Sequence, residues 1–325
     1  MISDCNKRSY AAILFGVMSM FLSLSTFAST DDAKWPRTFT NFDHSETVIP
    51  HKPLRILSTS VTLTGTLLAI DAPLIATATT PDGHFFNQWK SVAEERKLTK
   101  VWPAGSVDIE MAYAVQPDLI IVSYSGAGSA LEQLALFQQI APTIVVDYGG
   151  QTWQDLSKQL GLALGLEENV TQRIAEFDKY IQQARDEIQV PPGQANIVSY
   201  NGPGITNPIA RSHSAHGLLL RALGFDIEDP NPNWEETLSH RNDFIRANYE
   251  NLTQLTASTT FLLSLLSYDE NGVSRFLHDP VLKNVPSVQS GRVFGLGRNS
   301  FRIDYYSAKE IVEGIKRHFP RSIER

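Results

Sequence analysis

The chain has 325 residues, of which 28 are Lys or Arg and 35 are Asp or Glu, giving a formal net charge of −7 at neutral pH. Such an acidic chain argues against nucleic-acid binding, because phosphate contacts need clusters of Lys and Arg. The length suits one large domain or two lobes. The single cysteine, Cys5, leaves no disulfide within the chain and no cysteine metal site.

The N-terminus has the pattern of a secretory signal peptide. Lys7 and Arg8 precede an apolar run over residues 11–22, and small residues follow up to Ala28. This pattern predicts cleavage after Ala28, so residues 1–28 are a signal peptide and the mature chain is exported. Because Cys5 precedes the apolar run, it is lost with the signal and cannot carry a lipid anchor. No later stretch approaches about 18 consecutive apolar residues, which predicts a soluble mature protein.

The first half of the chain alternates short apolar strands with helices. Buried strands are predicted over residues 55–58, 74–78, 119–122 and 143–146, and helices are predicted between them. This alternation predicts a lobe built on a parallel sheet. Ser60 lies in the polar turn after the first strand, where α/β sheets bind ligands, although plain helix capping is an equally good interpretation.

A long amphipathic helix is predicted over residues 167–189. Its apolar residues, from Val170 through Phe177 to Ile188, follow the helical period, and charged residues occupy the other face. At 1.5 Å per residue it would span about 34 Å, the width of a small domain. We interpret it as a strut between an N-terminal lobe, residues 29–166, and a C-terminal lobe, residues 190–325. The alternative is a helix packed on one sheet.

The second half repeats the alternation. Strands are predicted over residues 195–200, 261–266 and 293–296, and helices near residues 218–223, 249–255 and 311–318. Residues 201–208 are rich in Gly, Pro and Asn and are predicted to be irregular. The pattern predicts a second lobe that is built like the first.

Three runs of sequence resemble the periplasmic binding proteins for ferric catecholate siderophores of the enterobactin and vibriobactin type. They are RILSTSVTLTGTLLAIDAP at residues 55–73, QPDLII at residues 116–121 and FRIDYYSA at residues 301–308. The resemblance implies an α/β fold of two parallel-sheet lobes joined by one long helix, the class III or helical-backbone type of periplasmic binding protein. It also implies a monomer in the periplasm that captures a ferric siderophore and delivers it to an inner-membrane ABC permease dimer.

The same resemblance implies a ligand site and a docking site. In the family, the arginine matching Arg302 lies in the ligand cleft, and Glu110 and Glu250 match positions that contact the permease. Loop arginines could bind the anionic catecholate oxygens, and aromatic side chains could stack on the catechol rings, although exposed charges and core packing explain many such residues. Besides Arg302 and Ser60, the candidates are Arg211, Arg241, Arg298, Phe301, Tyr124, Trp89 and Trp234.

The loop over residues 79–86 departs from the enterobactin type, because it has neither Lys nor Arg. This departure predicts that the positive charge of the cleft comes from the second lobe. It leaves the identity of the catecholate open.

The same sequence bears on other possible functions. His213 and His216 are too few for a zinc-type site, so we expect no direct protein metal site and no cofactor, with the iron held by the siderophore. No Gly-x-Ser-x-Gly elbow is present, which predicts a carrier rather than an enzyme, with hydrolysis by Ser58 or Ser60 as an alternative. A cobalamin-, haem- or other chelate-binding relative is a further alternative, although several loop arginines favour a more anionic ligand.

Overall fold

The computed structural model describes residues 35–126, 128–235, 243–264 and 272–321. The predicted signal peptide, residues 1–28, lies outside these described ranges. Within them, no helix combines the length and apolar character that a membrane span requires.

The first lobe contains a five-stranded sheet in which every pairing is parallel. An antiparallel hairpin precedes it, formed by β1 (Arg37–Thr40) and β2 (Glu46–Ile49). The strands are β3 (Ile56–Ser58), β4 (Leu74–Thr79), β5 (Thr99–Pro103), β6 (Leu119–Ser123) and β7 (Thr143–Val146), and the helices are α1 (Val61–Ala69), α2 (Lys90–Glu95), α3 (Ile109–Ala114) and α4 (Leu134–Phe137). The sheet order is β5-β4-β3-β6-β7. The parallel pairing is the one predicted from the alternation of strands with helices, whereas strand β5 was not predicted.

Two consecutive helices lead out of this lobe. Helix α5 (Trp153–Leu164) ends at Gly165, whose left-handed conformation (φ 67°) turns the chain into α6 (Glu167–Glu187). The two helices pack closely at Gly161 of α5, where an added Cβ atom would lie only 2.6 Å from Val170 Cγ2 of α6.

Helix α6 contributes to the apolar cores of both lobes. Val170 is buried in the first core, Phe177 and Ile181 are buried in the second, and Ile174 packs against both. The helix therefore joins the two lobes, as the amphipathic pattern predicts. It ends slightly earlier than predicted, since Ile188 is extended and pairs with Pro320.

The second lobe is built on a six-stranded sheet with mixed strand directions. The strands are β8 (Gln194–Val198), β9 (Asn207–Ala210), β10 (Asp226–Ile227), β11 (Phe244–Ala247), β12 (Thr259–Leu262) and β13 (Val293–Gly295), and the helices are α7 (Ala215–Ala222), α8 (Gly272–Leu277), α9 (Pro286–Gln289) and α10 (Tyr305–His318). Strands β10, β8, β12 and β13 pair in parallel, whereas β9 runs antiparallel to β8 and β11 antiparallel to β9.

The antiparallel edge corrects two details of the sequence prediction. The lobe is not parallel throughout, and Asn207 and Pro208 begin strand β9 instead of ending an irregular loop. The connection from Val198 to Asn207 is too short for a parallel crossover, which needs a dozen or more residues, so the chain turns straight back. The Asn207 side chain holds that turn, because it accepts hydrogen bonds from the N–H groups of Asn201 and Gly202.

Candidate ligand-binding cleft

A cleft of about 270 Å³ lies between the two lobes. The first lobe contributes Thr62 and Thr66 of α1 together with the segment that leads from Tyr148 into α5. The second lobe contributes residues of β9, α7 and β11 and the segment 301–303 that precedes α10. Both lobes therefore provide walls, and a bound molecule would contact each of them.

Arg302 lies in this cleft and reaches across it. Its Nη1 donates a hydrogen bond to the phenol oxygen of Tyr148 at 2.8 Å. Its guanidinium carbon lies 5.3 Å from the centre of the Tyr148 ring and 5.6 Å from that of Phe301, within the range of a cation–π contact. Of the predicted ligand residues that the structure describes, Arg302 and Phe301 line the cleft.

The start of helix α10 fixes the backbone at Arg302. Asp304 is the N-cap, and its Oδ1 accepts hydrogen bonds from the N–H groups of Tyr306 and Ser307, both at 2.9 Å. The Ser307 hydroxyl in turn donates to the carbonyl of Arg302 at 2.7 Å. Asp304 therefore caps the helix and is not an ion-pair partner for Arg302.

Strand β11 brings a second arginine into the cleft. Along this strand Ile245 and Ala247 are buried in the core, while Phe244 and Arg246 alternate with them and line the cleft. The Phe244 ring stacks on Phe301 with 6.3 Å between centroids and 26° between planes. Sequence reasoning missed β11 and hence Arg246, although the alternation of residues 244–247 was a usable signal.

His216, one of the two histidines considered for a metal, lines the cleft wall but is buried. Its Nε2 lies 2.7 Å from the carbonyl oxygen of Ser300, so this nitrogen carries the proton and donates. Burial lowers the pKa of His216 to about 4, so the imidazole is neutral at pH 7. Among the described residues, no group of three or more His, Cys, Asp or Glu side chains could hold a metal ion.

Two further aromatic residues of the cleft were not predicted. Tyr148 follows β7, at the carboxyl end of a parallel strand, which is the position where such sheets bind ligands. Trp153 opens α5, and its buried indole packs edge-to-face on Phe177 and Tyr305 at 5.1 and 5.4 Å. Trp153 therefore connects the cleft wall to the core of the second lobe.

Two predicted ligand residues lie elsewhere, and the prediction for them is corrected. Trp89 is fully buried in the core of the first lobe, where it packs against Phe85 and Phe86, so it cannot stack on a ligand. Ser60 is the N-cap residue of α1 and is 1% exposed, so it does not line the cleft.

Of the remaining predicted ligand residues, those that the structure describes do not line the cleft either. Tyr124 is at the surface and packs on Phe42 at 4.3 Å, and Trp234 borders a separate cavity beside Asn196. Arg211 is half-buried next to the cleft, with its backbone N–H bound to the carbonyl of Asp243. Arg298 is exposed after β13, and Arg241 lies outside the described residues.

The two predicted docking carboxylates are both exposed in first helical turns. Glu110 is in the first turn of α3, and Glu250 is in the first turn of the 3-10 helix Tyr249–Gln254. Each belongs to a different lobe. Their contact with a permease stays a prediction.

Comparison with known proteins identifies the family. The family described as "Periplasmic binding protein" matches residues 56–299. The chain belongs to the periplasmic binding protein family. It is also 37% identical over 308 residues to the ferric enterobactin-binding periplasmic protein FepB of Escherichia coli O6:H1 (strain CFT073), covering 92% of this chain and 95% of FepB. The family predicted from the three sequence runs is thereby confirmed.

Solved structures agree with this assignment. The crystal structure of holo-ViuP is 54% identical in sequence and superposes with a TM-score of 0.84, covering 88% of this chain and 96% of that chain. The periplasmic catecholate-siderophore binding protein VctP from Vibrio cholerae is 17% identical, with a TM-score of 0.60 and coverage of 87% of this chain and 100% of that chain. VctP shares the fold of this periplasmic binding protein, which confirms the predicted class of two lobes joined by a helix.

Proposed function

We propose that this protein captures a ferric siderophore of the catecholate class in the cleft between its lobes and delivers it to an ABC permease in the inner membrane for iron uptake. Support comes from the name and nearly full-length similarity of FepB and from the 54% identity to holo-ViuP. The protein would act as a monomeric carrier without catalysis, and the iron would arrive as cargo inside the siderophore.

The observation that carries this proposal is the chemistry around Arg302. The guanidinium has five N–H donors, and the contact with Tyr148 uses one of them, so the others are available for anionic oxygens. Arg246 adds a second positive charge in the same cleft, and the rings of Phe301, Phe244 and Tyr148 are present for aromatic contacts. A ferric catecholate combines phenolate charge with aromatic rings and therefore matches both features.

The ligand would be bound by side chains of both lobes. The two cleft arginines come from the second lobe, while the first lobe supplies hydroxyl groups at Thr62, Thr66 and Tyr148. This division agrees with the absence of Lys and Arg from residues 79–86. A sequestered anion loses its hydration, so the fixed donors of the second lobe must replace it.

Export and docking complete the proposal. We propose that residues 1–28 are removed as a signal peptide, that the lobes comprise residues 29–166 and 190–325, and that residues 167–189 connect them. Glu110 on the first lobe and Glu250 on the second would each contact an arginine of one permease subunit. Exposed carboxylates on separate lobes suit a partner that is itself a dimer.

Tryptophan fluorescence titration tests the binding function. Trp153 lines the cleft, so ferric enterobactin should quench its emission at stoichiometric concentration, and a Trp153→Phe variant should lose most of that signal. Ferrichrome, a ferric hydroxamate that carries less negative charge, is the matched control and should bind far more weakly. Tighter binding of ferrichrome than of ferric enterobactin would contradict the catecholate assignment, and turnover of the siderophore would contradict a carrier role.

A further inference from the structure

Arg302 is held at the cleft by a short chain of hydrogen bonds. The Ser307 hydroxyl donates to the Arg302 carbonyl at 2.7 Å and accepts from the N–H of Asp304 at 3.0 Å. The Asp304 carboxylate accepts from the N–H of Ser307 through Oδ1. The backbone of Arg302 is therefore tied to the cap of a helix of 14 residues, α10.

The other carboxylate oxygen of Asp304 faces the opposite lobe. Its Oδ2 accepts a hydrogen bond from Gln88 Nε2 at 3.1 Å, and Gln88 belongs to the 3-10 helix Asn87–Trp89 of the first lobe. The carboxylate also rests on α1 at Gly65, where an added Cβ atom would lie 2.7 Å from Asp304 Cγ and would overlap the carboxylate. A glycine at this position permits the contact, because every other residue would push Asp304 away.

The same helix of the first lobe also forms the cleft. Thr62 and Thr66, on either side of Gly65, line the cleft. The place where Asp304 rests on α1 is consequently within one helical turn of the wall that faces the ligand. A shift of Asp304 against α1 would move Arg302 relative to this wall.

Capping a helix with a buried carboxylate costs desolvation free energy. Asp304 is 5% exposed, and burial raises its pKa to about 6 although the hydrogen bonds from Ser307, Gln88 and Tyr306 oppose the rise. A serine or threonine would cap α10 without this desolvation. Neither hydroxyl could accept hydrogen bonds from the helix N-terminus and from Gln88 with two separate oxygens, as the carboxylate does.

We propose that Asp304 is the positioning residue for Arg302 and that Gln88 and Gly65 of the first lobe fix where Asp304 lies. The proposal rests on the proposed function, because the affinity for the siderophore that Arg302 confers would depend on Asp304. The orientation of the principal cation of the second lobe is thus determined by the first lobe. Asp304 itself contacts no ligand and acts through Arg302.

A double-mutant cycle tests this assignment with ferric enterobactin as the probe. Asp304→Ala should weaken binding about tenfold, because Arg302 is then mobile in the free protein and part of the binding free energy is needed to order it. Asp304→Asn should stay within about threefold, since its amide still accepts from the helix N–H groups and can donate to a reoriented Gln88. In an Arg302→Ala background, Asp304→Ala should have no further effect on affinity.

Control variants separate positioning from general stability. Asp108 caps α3 through the N–H of Met111 and does not line the cleft, so Asp108→Ala removes a comparable cap and should leave the affinity unchanged. Gly65→Ala should weaken binding from the first lobe in the same direction as Asp304→Ala, and Gln88→Ala should do so to a smaller extent. The proposal would be overturned if Asp304→Ala weakened binding by the same factor of about ten in the Arg302→Ala background as in the wild-type protein.

A readout without ligand distinguishes this proposal from the proposed function. The side-chain ¹H–¹⁵N signal of Arg302, assigned with Arg302→Lys, should shift or broaden in Asp304→Ala and keep its position in Asp304→Asn and Asp108→Ala. An unchanged Arg302 signal in Asp304→Ala would overturn the proposal even if ferric enterobactin binds. Failure of the wild-type protein to bind any ferric catecholate would instead refute the function and leave the side-chain result to decide the positioning role.

Discussion

Two buried groups should give this protein opposing pH dependences of stability that only single variants reveal. Asp304 has its pKa raised from 3.8 to about 6 by burial, and His216 has its pKa lowered from 6.5 to about 4 by burial. Between pH 3.8 and about pH 6 the folded chain keeps Asp304 protonated to a greater extent than the unfolded chain does. Asp304 therefore favours folding as the pH falls. The folded chain resists protonation of His216, so His216 disfavours folding as the pH falls.

The two effects are of similar size. A pKa displaced by about two pH units corresponds to about 3 kcal/mol, and each contribution changes mainly between pH 4 and 6.5. In the wild-type protein they nearly cancel. Asp304→Asn removes one of them, so its free energy of unfolding should fall by about 2 kcal/mol relative to wild type as the pH is lowered from 7 to 4.5, where most of the Asp304 contribution has developed. His216→Gln, which keeps a donor for the Ser300 carbonyl, should show the opposite difference.

Urea unfolding at half-unit pH intervals measures these differences directly. Other carboxylates titrate in the same way in all three proteins, so they cancel when a variant is compared with wild type. The reasoning is refuted if the stability curves of wild type and Asp304→Asn run parallel from pH 7 to 4.5. Parallel curves would mean that the Asp304 carboxyl has an ordinary pKa in the folded protein and is hydrated.

Further variants address the cleft and the docking surface. Arg302→Ala should weaken ferric catecholate binding by about thirtyfold or more in calorimetric titration, since truncating one partner of a desolvated charge pair costs about 2–5 kcal/mol, and Arg302→Lys should recover only part of it. Arg246→Ala should weaken binding by about tenfold, whereas Arg221→Ala, an exposed arginine on α7, should change it by less than about twofold. Charge reversal at both Glu110 and Glu250 should abolish cellular iron uptake with the affinity intact, and retained uptake would exclude them as docking residues.

Local patterns explain why much of the fold was predictable. The apolar run over residues 119–122 and the apolar stripe from Val170 to Ile181 are patterns confined to short stretches of the chain. The strand and the helix that they predict both form. The antiparallel edge of the second sheet was missed because Pro208 normally interrupts an inner strand, so the segment was interpreted as a loop.

The candidate site was predictable only where a motif extended into it. Arg302 and Phe301 belong to a run that resembles the family, and both line the cleft. Composition cannot distinguish a core aromatic from a binding aromatic, so Trp89 was misplaced while Tyr148 went unnoticed. The contact between Asp304 and Gly65 joins residues far apart in the chain, and such a contact leaves no local pattern.

The position of helix α6 also bears on how the protein unfolds. One face of the helix supplies Val170 to the first apolar core and Phe177 and Ile181 to the second, and Trp153 of α5 extends the second core towards the first lobe. Melting of either core would remove the packing that stabilises the helix on which the other depends. The lobes should therefore lose their structure together, in one cooperative transition, although each has its own sheet.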